Sequence, residues 1–288
     1  MKAIYKRELK SYFDSMTGYV FIAAIIIFTG IYFMVYNLNM GYPYFSYALY
    51  GAGFIFILSI PILTMRCFAE ERKNKTDQLL LTSPVSVLSV VLGKYFAMTT
   101  VFLVPNLIFM AFPIIIKSQG KANFLIDYAG IFTFFVMGCV YIAIGMVISA
   151  LTESPVIALL STFGVLLVMY LGDALLAYLP TSAVGNLAGI LVLIALLSCI
   201  VYRNTKNWVI GGGLGIVGFG ITIAGYVLKK TWFENRLAEL LKKVLLTEGF
   251  ENIVFNHLLD IGSLILYISL IFVFVFLTMQ TIQKRRWN

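Results

Sequence analysis

The residues with the best-known chemical spacing in this sequence do not form a complete catalytic or nucleotide-binding motif. The segment 213–218, GLGIVG, has the G-x-G-x-x-G spacing of a dinucleotide-binding loop, but no strand precedes it and it lies inside an apolar run. We interpret its glycines as small residues that let two helices pack closely. Gly93-Lys94 resembles the end of a P-loop, but Leu88 stands where the first glycine should be. We therefore expect the chain to bind no cofactor of its own.

Hydrolytic and metal-binding motifs are missing from the sequence as well. It contains neither H-E-x-x-H nor G-x-S-x-G, and its three cysteines have no paired or zinc-binding spacing. We predict no catalytic or metal-binding residue. One alternative stays open, because Glu251, His257 and Asp260 gather near the start of the last apolar run. Such a cluster would suit a membrane enzyme, for example an acyl or glycosyl transferase.

The composition identifies the solvent of this chain as lipid. Hydrophobic residues make up 61% and charged residues 12% of the sequence, against roughly 45–50% and 25% in soluble domains. Because backbone polar groups in lipid must be satisfied within the structure, long apolar runs have to form helices. The sequence predicts an all-α polytopic membrane protein, folded as a single transmembrane domain over residues 1–288.

About eight stretches approach the roughly 20 residues that one membrane span requires. They are residues 19–38, 47–65, 93–116, 127–150, 156–179, 183–201, 208–228 and 259–280. Lysine and arginine concentrate in the segments that lie inside if both termini are cytoplasmic. The net charge of +8 is therefore interpreted as a topology signal rather than as evidence for nucleic-acid binding.

Three segments outside the predicted spans have patterns of their own. Residues 1–17 place apolar side chains on one helical face, which predicts an interfacial elbow helix or, equally, a basic anchor. Residues 229–258 predict an extracellular helical cap or, equally, a helix that lies in the outer headgroups, with Thr231 and Glu234 at a helix start and Gly249 as a stop. Residues 66–90 form a polar loop on the predicted inner side.

That inner loop carries both signs of charge in the segment 66–84, RCFAEERKNKTDQLLLTSP. A loop that only obeyed the positive-inside rule would need no acidic residues. We favour a docking element for a partner, with a solvated loop as the alternative.

Asn106 is the polar residue predicted nearest to the middle of the bilayer, and it follows Pro105. Polar groups are costly in lipid and usually face protein or a cavity. Asn106 is therefore predicted either to line a translocation path or to make a helix-to-helix hydrogen bond.

The inner loop resembles the type-2 ABC permease family. The similarity lies in residues 66–72, RCFAEER, in residues 76–84, TDQLLLTSP, and in residues 91–95, VLGKY. By that resemblance, the loop contains a coupling helix that contacts a cytoplasmic ATPase. The residues predicted at this contact are Glu70, Glu71, Arg72, Lys75 and Thr76. The end of the chain looks like the subgroup of gliding-motility and copper-maturation permeases, although 183–201 and 208–228 look like a pair of spans added to the usual six.

The resemblance implies an exporter subunit and its partners. It implies separate ATPase subunits that hold ATP and Mg, and a second permease copy, identical or related. It also implies outward movement of a hydrophobic or amphipathic substrate, with membrane lipid around the spans. The basic inner flanks and the lack of eukaryotic targeting signals indicate a bacterial plasma membrane. The alternative within this class is an anchor that recruits an ATPase without moving cargo.

Overall fold

A computed structural model describes residues 1–76, 85–120, 122–176, 178–205 and 235–287, together with residues 213, 215, 217–222, 225, 226 and 233. Within these residues every regular element is a helix. This confirms the predicted all-α architecture.

The helices follow one another closely along the chain. The first are α1 (Lys2–Asp14), α2 (Met16–Phe33) with a π-helical continuation (Met34–Asn39), α3 (Ser46–Ala52), α4 (Ile55–Thr64) and α5 (Ala69–Lys73). Next come α6 (Val87–Phe109), α7 (Phe112–Gln119), α8 (Phe124–Leu151), α9 (Pro155–Leu176) and α10 (Ala183–Thr205). The last are α11 (Arg236–Leu245), α12 (Glu248–Asn256) and α13 (Ile261–Trp287).

Most of the predicted spans have a helical counterpart. Among the described residues, five stretches are long and apolar enough to cross a membrane: Met16–Asn39, Val87–Gln119, Phe124–Leu151, Pro155–Gly172 and Ile261–Arg285. A sixth is added if Ser46–Ala52 and Ile55–Lys73, which meet at a 63° bend, form one broken span. The predicted span 183–201 lies within α10, which is apolar over at least Ala183–Ala195. The predicted span 208–228 falls largely outside the described residues.

Helix α8 forms the centre of the larger bundle. Its apolar stretch is 78% buried, whereas those of Met16–Asn39 and Ile261–Arg285 are 28% and 17% buried. Glycines allow its close contacts, because a Cβ at Gly138 would collide with Phe102 and one at Gly145 with Thr64. The surrounding helices consequently direct much of their apolar surface outward.

A buried carboxylate ties the second predicted span to α8. Asp127, which is fully buried, accepts a hydrogen bond from the backbone N–H of Phe45 at 2.7 Å, just before α3. The side chain of Asn37 donates to the carbonyls of Tyr42 and Tyr44 at 2.8 and 2.9 Å. The turn that leads into α3 is therefore fixed by side chains from two other helical segments.

The chain divides into two compact units, residues 1–170 with 246–288, and residues 171–245. In the smaller unit, the amide oxygen of Asn186 accepts from the backbone N–H of Leu237 at 2.9 Å. Its amide nitrogen donates to the carbonyls of Pro180 and Ser182 at 2.7 and 2.9 Å. One buried side chain therefore closes the tight turn before α10 and holds the start of α11.

The glycines of segment 213–218 also lie in the smaller unit. A Cβ at Gly218 would stand 2.8 Å from Ile194 Cγ2, and one at Gly215 would stand 3.4 Å from Ser198 Oγ. These glycines pack against α10, in agreement with the helix-packing interpretation.

The predicted boundaries of the 229–258 segment need one correction. The predicted helix start at Thr231 and Glu234 lies outside the described residues. The stop is not Gly249, because α11 ends at Leu245 and Leu246 adopts a left-handed φ of 67°. Gly249 instead lies inside α12, where the absence of a side chain makes room for Ser263.

Replacing Asn186 with Leu removes three hydrogen bonds from the smaller unit. At about 1 kcal/mol each, the loss should destabilise the unit by about 3 kcal/mol and expose the Leu237 amide. Hydrogen exchange at Leu237 in nanodiscs measures this. Asn186→Asp is the matched control, since it keeps the acceptor for Leu237 and should leave that amide largely protected. Equal exchange in Asn186→Leu and the native chain would show that packing alone holds α11.

Candidate functional site

A polar groove with a volume of about 620 Å³ lies between α1 and the segment 66–76. The groove is at the end of the bundle where the positive-inside rule predicts the cytoplasm. Both signs of charge line it. The charged residues are Arg7, Glu8, Arg66, Glu70, Glu71 and Lys94. This polar groove therefore contains three of the residues that the family resemblance implied, Glu70, Glu71 and Thr76, together with charges from α1 and α6.

Lys94 of α6 is the buried charge of the polar groove, with 2% of its side chain exposed. Its ammonium donates to the carbonyl of Cys67 at 2.8 Å and to Glu71 Oε1 at 2.9 Å. It also lies 3.3 Å from Glu8 Oε2 and 5.1 Å from the ring centroid of Phe68. A buried ammonium needs such partners, because desolvation of an unpaired charge is very costly.

Arg7 of α1 completes the ionic network. Its Nη2 donates to Glu8 Oε1 at 2.5 Å and to Glu71 Oε1 at 3.2 Å. Only 14% of the Glu8 side chain and 18% of the Glu71 side chain are exposed. The two carboxylates thereby link α1, α5 and α6 through two cations.

The apolar face of α1 packs against protein. A Cβ at Gly93 would stand 3.1 Å from Ile4, and the Tyr5 hydroxyl lies 3.0 Å from Thr100 Oγ1. Tyr12 donates its hydroxyl to the carbonyl of Leu63 at 3.1 Å. Burial raises the pKa of Tyr12 well above its ordinary value, so this donor keeps its proton. The face predicted to be apolar from the sequence therefore packs on α4 and α6.

Helix α5 is also held by α8. The hydroxyl oxygen of Ser149 accepts from the backbone N–H groups of Phe68 and Ala69 at 3.1 and 3.2 Å. Arg72 donates to the carbonyl of Thr152 at 3.1 Å, just past the end of α8. Ser149 thus acts as an N-cap supplied by another helix, while Arg72 satisfies a carbonyl that a helix end leaves open.

The five residues predicted at the ATPase contact separate into two groups. Glu71 and Arg72 bond to other parts of the chain, as described above. Glu70 is 45% exposed and lies 3.7 Å from Arg66, and such a surface ion pair contributes little stability. Lys75 and Thr76 are exposed, and the Thr76 hydroxyl donates to the Glu71 carbonyl at 3.2 Å. Residues 77–84 of the resemblance lie outside the described residues.

Asn106 is buried in the last turn of α6, with 3% of its surface exposed. Its amide nitrogen donates to the Phe102 carbonyl at 2.8 Å, within the same helix. The amide oxygen has no hydrogen-bond partner among the described residues. The helix-to-helix hydrogen bond that was predicted as an alternative is therefore not made by the nitrogen of this amide.

The three residues behind the enzyme alternative each have a local structural contact. His257 adopts a left-handed φ of 56° at the end of α12, and its ring centroid lies 4.2 Å from that of Tyr44. Glu251 accepts from the Tyr50 hydroxyl at 3.2 Å. Asp260 accepts from the Ser263 hydroxyl at 2.6 Å, which lowers the pKa of Asp260 and favours its ionised form. Within the described residues, no group of three or more His, Cys, Asp or Glu residues is placed to hold a metal.

Sequence reasoning did not identify Lys94, Glu8 or Ser149 as parts of this site. In the sequence, Lys94 stands out only as the end of an incomplete P-loop and as part of the similar segment 91–95. One further signal is present, since a lysine flanked by the apolar residues of a predicted span requires a buried partner.

Comparison with known proteins places most of the chain in one family. The model described as "ABC-2 family transporter protein" matches residues 3–209. The match includes every charged residue of the polar groove and leaves α11, α12 and α13 outside. No curated protein and no solved structure matches the chain.

Ser149→Ala should loosen the start of α5, because two backbone N–H groups lose their acceptor. Loss of an N-cap costs about 1 kcal/mol, so hydrogen exchange at Phe68 and Ala69 should accelerate about fivefold. Ser118→Ala is a suitable control, since among the described residues the Ser118 hydroxyl bonds to its own helix, at the Ile115 carbonyl. Unchanged exchange at Phe68 and Ala69 would remove the capping role of Ser149.

Proposed function

This chain belongs to the ABC-2 family of transporter proteins, and we propose that it is the membrane-spanning permease subunit of an ATP-driven exporter. The observation that best supports the proposal is the arrangement of α5. This short polar helix is attached to three other helices on one side and carries exposed charged residues on the other. Such an element can receive a partner's motion and pass it into the bundle.

We assign ATP and Mg to a separate cytoplasmic ATPase, since the sequence of this chain has no nucleotide-binding motif. Glu70, Lys75 and Thr76 supply the contact face, because their side chains are exposed. Glu71 and Arg72 belong to the same coupling element, but they attach it to the rest of the chain. Glu71 binds Lys94, and Arg72 binds the carbonyl of Thr152. The five residues predicted from the sequence thus share one function while making different contacts.

The transport step follows from these attachments. ATP binding draws the ATPases together and displaces α5, which pulls on α8 through Ser149 and Arg72. Because α8 is the most buried of the candidate spans, its displacement repacks the helices around it. In this proposal Asn106 of α6 faces the substrate path in one of the alternating states, where its open amide oxygen gains a partner.

A second permease copy, identical or related, completes the transporter in this proposal. The apolar surfaces of Met16–Asn39 and Ile261–Arg285, which are largely unburied in one chain, are available to that copy and to membrane lipid. We place the complex in a bacterial plasma membrane with both termini cytoplasmic. The substrate is hydrophobic or amphipathic, and the permease falls in the gliding-motility and copper-maturation subgroup.

Co-purification in nanodiscs with ATPases expressed from the same source tests the proposal. The native chain should retain a stoichiometric ATPase, and Lys75→Glu should lower its affinity about tenfold, which corresponds to about 1.4 kcal/mol. Lys117→Glu is the matched control, because Lys117 is also an exposed lysine but lies near the end of α7, on the predicted outer side.

Two results would contradict the proposal in different ways. If the native chain retains no ATPase, the permease assignment fails and the enzyme alternative gains weight. If Lys75→Glu and Lys117→Glu retain it equally, the assigned contact face is wrong. Glu71→Arg is not a suitable variant, because it would also break the internal bonds of Glu71 to Arg7 and Lys94.

A further inference from the structure

We propose that Lys94 is an ionic joint that makes α1 and α5 move as one body. In this arrangement a force that displaces α5 also displaces α1. Lys94 acts as a positioning residue, because it holds these two helices together. The consequence for transport rests on the proposed function, whereas the joint itself is a property of this chain alone.

The geometry of the joint is an alternating ring of charges. Lys94 lies between Glu71 of α5 and Glu8 of α1, at 2.9 and 3.3 Å. Arg7 of α1 lies on the other side of the same two carboxylates, at 3.2 Å from Glu71 and 2.5 Å from Glu8. Two cations and two anions therefore balance in a cluster in which Lys94, Glu8 and Glu71 are largely buried and Arg7 is 55% exposed. Each carboxylate contacts both cations.

The energetics of such a network favour a role in geometry over one in stability. Replacing a whole buried ionic network with uncharged residues is often neutral for stability, whereas removing one member leaves an uncompensated charge. Without Lys94, Glu8 and Glu71 would lose the cation between them and repel each other across the polar groove. The network therefore contributes little net stability, and its main effect is to fix the position of α1 relative to α5.

The chain connections of α1 and α6 show which predicted spans a displacement of α5 would reach. Only Ser15, in an extended conformation with φ −98° and ψ 155°, separates α1 from α2. A displacement of α1 is therefore passed directly into the first predicted span. Lys94 itself belongs to α6, the third predicted span. A push on α5 thus reaches two spans through this joint, in addition to α8 through Ser149.

Contacts outside the joint keep α1 folded when the ionic network is removed. Ile4 packs at Gly93 and Tyr12 bonds to Leu63, and neither contact involves a charge. Loss of the network should therefore let α1 and α5 separate while the helices and the bundle persist.

Cys67 is a native reporter for that separation. It lines the polar groove with 3% of its surface exposed, and its carbonyl accepts from Lys94. A thiol reagent can reach Cys67 only when the groove opens. The other two cysteines can be removed by Cys139→Ala and Cys199→Ser, which leaves Cys67 as the sole thiol.

The experiment is the rate of Cys67 modification by N-ethylmaleimide, followed by mass spectrometry on the full chain in nanodiscs. Lys94→Met should accelerate modification about tenfold or more, since local opening becomes easier. Glu8→Gln, on α1 rather than in the turn that contains Cys67, should accelerate it severalfold. Lys10→Met is the matched control, because Lys10 is an exposed lysine of α1 outside the network, and it should leave the rate unchanged.

A triple variant, Glu8→Gln with Glu71→Gln and Lys94→Met, distinguishes the separation of α1 and α5 from a general loss of stability. Arg7 then loses both carboxylates of the network, but its side chain is 55% exposed and can be solvated, so the thermal unfolding of the variant should stay close to that of the native chain. Modification of Cys67 should nevertheless remain about fivefold faster than in the native chain. If the triple variant or Lys94→Met reacts at the native rate, packing alone holds α1 against α5 and the proposal is overturned. This measurement uses no ATPase, so its outcome is independent of the co-purification result.

Discussion

A charge can be buried in a membrane protein only if opposite charges come with it, and Lys94 imposes this constraint on one end of the structure. Because Lys94 is 2% exposed, Glu8 and Glu71 must turn inward from two other helices to meet it. That requirement fixes how α1 is rotated about its axis, since Glu8 shares a face with Ile4 and Tyr12 and lies opposite the exposed lysines. The polar groove is the space left between helices positioned in this way.

A second constraint is the supply of hydrogen bonds where helices start. Where a helix starts in the protein interior, its open N–H groups need acceptors from the protein itself. Among the described helices, three starts are served by side chains of other helices: Asp127 acts before α3, Ser149 acts at α5 and Asn186 acts at α11. Each of these bonds also fixes the position of one helix relative to another. The breaks between helices are therefore held by specific hydrogen bonds, in addition to the apolar contacts along the helices.

The sequence alone predicts those features of the structure that depend on a local pattern of residues. Hydropathy predicts the all-α class and most of the spans, and mixed charge alone singles out the segment 66–84. Pairings between distant residues are not predictable, because nothing local in the sequence connects Glu8 with Lys94 or Ser149 with Phe68. For the same reason the local pattern favours Gly249 as a helix stop, although a left-handed Leu246 follows the end of α11.

In the coupling role that we propose for α5, the neighbouring residues Glu70 and Glu71 show how so short a helix would transmit force. Successive residues of a helix point about 100° apart, so Glu70 can face a partner while Glu71 faces Lys94. A helix attached only through Glu71 would roll when its outer face was pushed. Ser149 at its start and Arg72 near its end attach it to α8 at two further points, and three attachments remove that rotation. A displacement of α5 must then appear in the helices behind it, which is the property that a coupling element requires.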